Sequence, residues 1–360
     1  HRAAHGIAPP DVEAFAHAPH DQCSPAPDLD RPARRADQEL GQREKDLAAS
    51  LQAVYEERFF ALVRALQKRT GLDRLTLAGG CAMNSLANGR LFERTDIKDV
   101  FIQSAAGDAG TSLGAALWVA HAENHEPRGF VMEHSAWGPR YGDAEIRAAL
   151  AARLPGFRND GRYQLDGGTF EVTTYADEDH LCDSTAAAIA RGEVIGWYQG
   201  RSEWGPRALG QRSILADPRR ADMKDILNLK IKRRESFRPF APSILAERTG
   251  DWFTIDYPDP FMIKVYPIRP EKRPQIPAVT HVDGTGRLQT VSAATNPLYW
   301  KLISAFEEQT GVPILLNTSF NENEPIVNQP EEALDCFLRT RMDRLVMGRI
   351  TLLRREQAAS

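Results

Sequence analysis

Leu75-Thr76-Leu77-Ala78-Gly79-Gly80 decides the fold class, because a β-rich run passes directly into a glycine pair. A segment of small residues with helix signals follows as far as Leu91. The same order returns where Val100-Phe101-Ile102, a second strand candidate, leads through a glycine-rich turn into an apolar helix predicted over 113–122. Strands that alternate with helices in this way predict an α/β fold.

The segment before this stretch has two predicted parts. Residues 1–43 are rich in Pro, Ala, Asp and Arg without a sustained apolar period, which predicts an irregular lead-in with order beginning near Glu44. Apolar residues at helical spacing then predict a helix that Gly71 ends. These apolar residues are Leu47, Leu51, Val54, Leu62 and Leu66.

A second α/β pattern occupies the later part of the chain. It predicts helices over 184–191 and 299–309, and strands over 194–199, 312–316 and 344–347. Residues 123–180 are polar and punctuated by Pro and Gly, as domain boundaries often are. We therefore predict one domain over 44–130 and another over 131–360.

The composition excludes several classes of protein. Of 360 residues, 42% are hydrophobic and 26% charged, which is ordinary for a soluble protein with real cores. The net charge of -4 gives no overall attraction to nucleic acid or anionic membranes. No apolar run approaches the ~20 residues of a membrane helix. Collagen-like, coiled-coil, wholly disordered and membrane-spanning chains are therefore not expected.

The cysteines and the first residue give an indication of the cellular compartment. Cys23, Cys81, Cys182 and Cys336 lie far apart without a C-x-x-C pair, which argues against a zinc ribbon and favours a reducing cytoplasm. The chain begins at His1 with no basic and apolar leader. We expect a fragment, or a gene missing its start, rather than a secreted protein.

Two glycine-rich turns follow the first strand candidates. The pair Gly79-Gly80 could bring backbone N–H groups to an anion at a helix start, but a tight turn explains the glycines equally simply. Asp108, between Gly107 and Gly110, could bind a metal or cap the helix that follows. From spacing alone we favour the tight turn and the cap.

Two arginine-rich stretches could bind phosphate. Residues 199–218 hold too many Gly, Pro and Arg for a regular amphipathic element, and Arg207 and Arg212 could converge on one anion. In 228–242, Lys232 and Arg238 could bind phosphate, or Phe237 and Phe240 could stack on RNA bases. A solvated surface loop and a solvated basic helix end are the alternatives.

Two further stretches carry polar groups. Residues 280–290 predict a turn between strands, in which His281 is either an acid/base group or a structural residue. Residues 315–321 end a strand in amide and hydroxyl side chains, where ligands sit in open α/β sheets. No His stands against a candidate nucleophile, so no catalytic triad is predicted.

Six motifs, taken in order between about Leu47 and Gly348, resemble the carbamoyltransferase family, which includes nodulation-factor and antibiotic-tailoring O-carbamoyltransferases. They are LAGGCAMNS (77–85), GDAGTSLGAA (107–116), GWYQGRSEWGPRALGQRSILADPR (196–219), RRESFRPFAPSIL (233–245), PAVTHVDGTGRLQTV (277–291) and LLNTSFNENEPIV (315–327).

The resemblance implies a fold and a reaction. It implies the later part of a metal-dependent, actin-like ATPase domain, related to tRNA threonylcarbamoyl-transfer proteins, followed by a YrdC-like α/β domain. The second domain would form carbamoyl adenylate from carbamoyl phosphate and ATP. The first would pass the carbamoyl group to a hydroxyl of a small-molecule acceptor, a sugar or natural product. An RNA-binding module and a non-catalytic remnant that exposes apolar surface are the alternatives.

The resemblance also implies roles for single residues. The catalytic set is Arg207, Lys232, Arg238 and Arg287. The substrate- and nucleotide-binding set is Gly79, Gly80, Asn84, Arg212, Ser213, Thr280, His281, Asn317, Thr318, Ser319 and Asn321. Asp108 would bind a divalent metal, Fe²⁺ or Mg²⁺, together with two histidines in an H-x-x-x-H pattern. His1 and His5 have that spacing but lie close to Leu47, so we expect the strand-rich first half of the ATPase domain and part of the metal site to be missing. No membrane partner is implied, nucleic acid is disfavoured, and a homo-oligomer is compatible.

Overall fold

A computed structural model describes residues 34–35, 38–165, 168–232 and 238–355. The chain divides into two compact units, residues 1–55 and 56–360. In the first unit, the described part holds the beginning of a long helix that starts at Gln42. Most of the predicted lead-in, with His1 and His5, lies outside the described residues.

The helices and strands are numbered here in chain order. The α-helices are α1 Gln42–Thr70, α2 Ser85–Gly89, α3 Leu91–Arg94, α4 Thr111–Trp118, α5 Asp143–Arg153, α6 Glu178–Ala190, α7 Met223–Leu227, α8 Thr249–Trp252, α9 Pro297–Thr310 and α10 Pro330–Arg339. The strands are β1 Arg74–Leu77, β2 Asp99–Ile102, β3 Gly161–Leu165, β4 Gly168–Thr174, β5 Ile195–Tyr198, β6 Arg212–Ala216, β7 Ala241–Leu245, β8 Tyr266–Pro267, β9 Thr285–Gly286, β10 Gln289–Val291, β11 Ile314–Ser319, β12 Arg344–Met347 and β13 Ile350–Arg355.

A nine-stranded mixed sheet organises the later part of the described chain, in the order β10-β7-β11-β6-β5-β12-β13-β4-β3. The pairs β5–β12 and β7–β10 are parallel and the others are antiparallel. Every residue of β5, β6, β7 and β12 is buried, as expected for strands covered on both faces. The α/β fold class is therefore confirmed as a mixed α/β fold with a large mixed sheet.

A small parallel sheet, β1 with β2, organises the earlier part, with Leu75 opposite Val100. Side chains alternate along β2, so that Val100 and Ile102 are buried while Asp99 and Phe101 are exposed. The buried face belongs to a second hydrophobic core. This core also contains Phe60 and residues from the later part of the chain, among them Met262.

The helix predicted before Gly71 forms, but it buries a different face. It ends at Thr70, and Gly71 follows with φ 69°, so the predicted stop is confirmed. Leu62 and Leu66 are exposed, whereas Phe60 and Val63 are buried. The spacing of the leucines thus predicted the helix correctly but not its buried face, because Phe60 and Val63 reach the second core instead.

Residues 199–218 form no amphipathic element, as predicted, but one regular element lies within them. Arg212–Ala216 forms β6, a fully buried strand inside the nine-stranded sheet. A strand that begins with arginine can be buried here because the guanidinium of Arg212 lies 3.8 Å from the centre of the Tyr198 ring and donates to backbone carbonyls. None of the described helices combines the length and apolarity of a membrane span.

Candidate functional site

A cavity of about 110 Å³ brings together several residues that the sequence singles out. Arg207 and Arg287 line it together with Asn317, Thr318 and Ser319 at the end of β11. Pro239, Phe240 and Ala241 lead into β7 and form another wall. We call this space the arginine cavity. Side chains that carry two guanidinium groups, an amide and two hydroxyls thus line one cavity.

Arg207 brings a desolvated positive charge to the arginine cavity. Burial lowers the pKa of its guanidinium, and the charge of Asp259 opposes this effect. Its Nε is buried and has no hydrogen-bond partner among the described residues. A buried donor without a partner is costly, and an anionic ligand would relieve that cost.

Asn317, which lines the cavity, bonds to three other segments of the chain. Its Nδ2 lies 3.2 Å from the carbonyl oxygen of Ala208, 3.0 Å from Ser243 Oγ and 3.1 Å from Gln289 Oε1. These acceptors identify Nδ2 as the donor, so the other amide atom is the oxygen. Oδ1 is buried and has no partner within the described ranges. Asn317 therefore keeps an acceptor for a ligand.

Lys232 supports the cavity from behind one wall. Its buried ammonium donates to the carbonyl oxygens of Ser319 and Asn321, each at 2.7 Å, and to Asn321 Oδ1 at 2.6 Å. It thus holds the turn that carries Ser319 into the arginine cavity. Direct contact between Lys232 and a ligand stays a prediction.

The rest of the basic stretch is only partly described. Arg238 is exposed and precedes Pro239 of the cavity wall. Phe240 is 2% exposed, so the expectation that its ring stacks on RNA is wrong, because stacking requires an accessible face. Phe237, the other proposed stacking residue, lies outside the described residues, as do Arg233 and Arg234.

Arg212 and Ser213 have structural roles within β6. Arg212 donates to the carbonyl oxygens of Gln199, Gln211 and Gly200. Ser213 Oγ accepts from the backbone N–H of Gly210 at 3.0 Å. The expectation that Arg207 and Arg212 converge on one anion is wrong, because backbone carbonyls bind the guanidinium of Arg212 away from the cavity.

His281 lies in the turn that the Asp-Gly signal predicts, just before β9. Its Nδ1 is 3.0 Å from Thr285 Oγ1, which donates its proton to Asp283 at 2.7 Å. Thr285 must therefore accept from Nδ1–H, which leaves Nε2 unprotonated, buried and without a partner in the described chain. Burial lowers the pKa of His281 to about 4, so the ring is neutral near pH 7. The hydroxyl of the preceding Thr280 donates to Ile276 O.

The glycine turns meet at the carboxyl ends of β1 and β2. Gly79 has φ 99° and its N–H donates to Ala106 O at 2.7 Å, which confirms the tight turn. A Cβ added to Gly107 would stand 3.9 Å from Cα of Gly80. Asn84 Oδ1 accepts from Ala87 N–H at the start of α2. Ligands of α/β sheets bind at such strand ends.

Asp108 is exposed beside these turns, at the start of a short 3₁₀ turn, Asp108–Gly110. The expectation that it caps the next helix is wrong, because Gly110 precedes α4 and no side chain caps it. Among the described residues no group of three His, Cys, Asp or Glu side chains could hold a metal ion. The described part of the chain therefore does not by itself fit a metal, and His1 and His5, which have the H-x-x-x-H spacing, lie outside that part.

Two residues near the arginine cavity were not predicted from the sequence. Buried Asp259 accepts from the backbone N–H groups of Ile263 and Lys264 at 2.9 and 2.6 Å. This turn holds Met262, which lines the cavity, at φ 56°. No sequence pattern around Asp259 indicates this turn. Glu203 is the other missed residue, although it lies within the arginine-rich motif.

Two family models match the chain. The model described as the carbamoyltransferase C-terminus matches residues 186–354, and the one described as the carbamoyltransferase N-terminus matches residues 27–117. Nodulation protein NolNO of Sinorhizobium fredii is 45% identical over 329 residues, which cover 89% of this chain and 46% of that protein. The 3'-hydroxymethylcephem-O-carbamoyltransferase of Amycolatopsis lactamdurans is 36% identical over 82% of this chain and 52% of that enzyme.

The chain spans about half the length of the curated relatives it matches. Among solved structures, full-length HypF in its phosphate- and nucleotide-bound form aligns with 50% of this chain and 22% of that chain, at 17% identity and a TM-score of 0.34. A likeness at that level supports no assignment of fold.

Proposed function

The chain belongs to the carbamoyltransferase family, and from this premise we propose that it forms carbamoyl adenylate from carbamoyl phosphate and ATP. In this step water releases phosphate from carbamoyl phosphate, and the resulting carbamate oxygen bonds to the α-phosphorus of ATP, which releases pyrophosphate. The carbamoyl group then passes to a hydroxyl of a small-molecule acceptor, a sugar or natural product. The chain spans about half the length of its relatives. We therefore propose the transfer step only when the remaining part of such a protein is also present.

The arginine cavity carries this proposal. Carbamoyl phosphate has an anionic phosphate at one end and an uncharged amide at the other. The buried, unpartnered Nε of Arg207 matches the phosphate, and the buried, unpartnered Oδ1 of Asn317 matches an amide N–H. Arg287 adds a second cation beside the same volume. Fixed cations and donors stabilise the charge that develops as an adenylate forms.

The finer assignments also belong to the proposal. The YrdC-like role falls to residues 131–360, which include the nine-stranded sheet and the arginine cavity. The actin-like role falls to residues 44–130, where the turns at Gly79 and Gly107 meet beyond parallel strands and could hold the adenylate. A divalent metal at Asp108 stays part of this proposal, and none of the proposed steps depends on it.

Exchange of labelled pyrophosphate into ATP tests the adenylation. We expect exchange that depends on carbamoyl phosphate in the wild-type chain, and a loss of at least about tenfold in Arg207→Ala, because a charge-assisted contact is removed. Arg162→Ala is the matched control, since Arg162 is an exposed arginine of β3. Intact carbamoyl phosphate binding without any exchange would contradict adenylation by this chain.

A further inference from the structure

Glu203 closes the loop that carries Arg207. Its Oε1 accepts from the backbone N–H groups of Leu209 at 2.7 Å, Gln211 at 2.8 Å and Arg212 at 3.3 Å. One carboxylate oxygen thus accepts from three backbone N–H groups that follow Arg207 in the chain. Burial raises the pKa of Glu203, and the bonds from Leu209 and Gln211 oppose this effect.

The backbone carbonyl groups of residues 208–210 accept hydrogen bonds from side chains of other strands. Ala208 O accepts from Asn317, Leu209 O accepts from Gln289 at 2.8 Å, and Gly210 O accepts from the indole of Trp197 at 3.0 Å. The backbone after Arg207 is therefore held on both sides. Glu203 supplies the inner contacts, and strands β5, β10 and β11 supply the outer ones.

The backbone before Arg207 is held by a distant segment, the residues that follow β2. The carbonyl of Trp204 accepts from Ser104 Oγ at 2.6 Å. Gly205, at φ 123°, passes so close to Ser104 that an added Cβ would stand 2.7 Å from its carbonyl oxygen. Arg207 thus lies in a short loop. The beginning of this loop packs on the end of β2, and its last residues are hydrogen-bonded to Glu203.

We infer that Glu203 is a positioning residue, which aims Arg207 into the arginine cavity by closing residues 203–209 without itself touching the ligand. This inference rests on the proposed function and adds to it a residue that acts through Arg207. A cation held in place before the ligand arrives binds more tightly than one that must be ordered on binding.

Calorimetric titration of the purified chain with carbamoyl phosphate tests the inference. We expect Glu203→Ala to raise the Kd about tenfold, because Arg207 loses its preset position. Glu203→Gln should stay within about twofold of wild type, since its carbonyl oxygen still accepts the backbone bonds. The matched control is Glu332→Ala, which removes a carboxylate that accepts from Asn328 and Gln329 N–H at 2.6 and 3.0 Å beside α10. Its Kd should not change.

A double-mutant cycle separates positioning from general support of the fold. If Glu203 acts through Arg207, then Arg207→Ala and the double variant Arg207→Ala/Glu203→Ala bind equally weakly. The inference is overturned if Glu203→Ala lowers affinity by the same factor in both backgrounds, or not at all. Should Glu203→Ala fail to fold, Glu203→Asp takes its place in the cycle, because it keeps the charge but shortens the reach. No binding by the wild-type chain would instead overturn the proposed function, and this inference with it.

Discussion

At the scale of single residues, His281 shows how the site depends on pH. The groups that act on its ring are Asp283, which favours the charged form, and Arg287 and Lys224, which oppose it. Burial outweighs Asp283, so the pKa falls from 6.5 to about 4. The folded chain therefore keeps a neutral imidazole where the unfolded chain takes up a proton.

This difference predicts an acid-sensitive stability. As the pH falls from 6.5 to 4, protons bind first to the unfolded state, so the contribution of His281 is complete above pH 6.5 and lost on acidification. The free energy of unfolding of wild type should fall between about pH 7 and about pH 5. In His281→Asn this fall should be smaller by up to about 2 kcal/mol. Urea unfolding at both pH values measures it.

The pKa of the exposed His180 shifts in the opposite direction from that of His281. Its hydrogen bond to Asp177 raises its pKa, so its contribution is present below pH 6.5 and lost as the pH rises. His180→Asn should therefore weaken the chain only at acid pH. Equal pH dependence of wild type and His281→Asn would contradict the buried, neutral assignment of His281.

Lys232 is the second residue whose environment makes a direct prediction. Lys232→Met removes the ammonium that binds Ser319 and Asn321, and leaves their partly buried oxygens without this donor. We expect a loss of about 3 kcal/mol in the free energy of unfolding, measured by urea denaturation. Lys224→Met is the control, since Lys224 makes one such bond, to Thr280 O at 3.1 Å. Equal losses in both variants would contradict the supporting role of Lys232.

At the scale of elements, α2 packs on the segment that leads into β8. Asn88 Nδ2 donates to Ile263 O at 3.0 Å, and Val265 N–H donates to Ser85 O at 3.0 Å. A Cβ added to Gly89 would stand 1.9 Å from the carbonyl oxygen of Val265. This contact joins the glycine turns of the earlier part to the turn that holds Met262 in the arginine cavity.

Gly89→Ala therefore has a large expected effect for one methyl group. Backbone must move to admit the Cβ, and we expect a loss of about 3 kcal/mol in the free energy of unfolding. Gly114→Ala is the matched control within α4, because an added Cβ meets nothing within 4 Å there. It should stabilise the chain by up to about 1 kcal/mol through helix propensity. Thermal unfolding of both variants measures the difference, and a neutral Gly89→Ala would contradict the close packing.

Much of the element order could be predicted, because strong patterns mark it. The strand over 194–199, the helix over 299–309 and the strand over 344–347 match β5, α9 and β12 within a few residues. β6 was missed because hydrogen bonds from Arg212 to distant carbonyls bury an arginine that local composition assigns to a loop. β3 and β4 were missed because their residues alternate weakly within a polar, glycine-rich segment.

At the scale of the whole described chain, the arginine cavity depends on long-range pairing. Asn317 reaches it because β11 lies between β6 and β7, and Arg207 because its loop returns to β6. Residue types and motif order could indicate phosphate chemistry at these positions. They could not indicate that Arg212 binds carbonyl groups or that Asp259 shapes a wall, because strand pairing and turn geometry decide both.

The earlier part of unit 56–360 also exposes apolar surface, which predicts self-association. No residue of α4 is buried, and Trp118 and the following Val119 are 66% and 50% exposed. A mainly apolar groove beside α4 is lined by Phe130 and Trp137. Apolar surface of this extent marks an interaction site or an aggregation risk.

We expect the sedimentation coefficient of the isolated chain to rise with protein concentration, and Trp118→Lys/Val119→Lys to reduce that rise. Leu229→Lys, which removes an exposed apolar side chain from a different segment, should leave it unchanged. A compact monomer at every concentration would contradict association through this surface and would weigh against the remnant alternative.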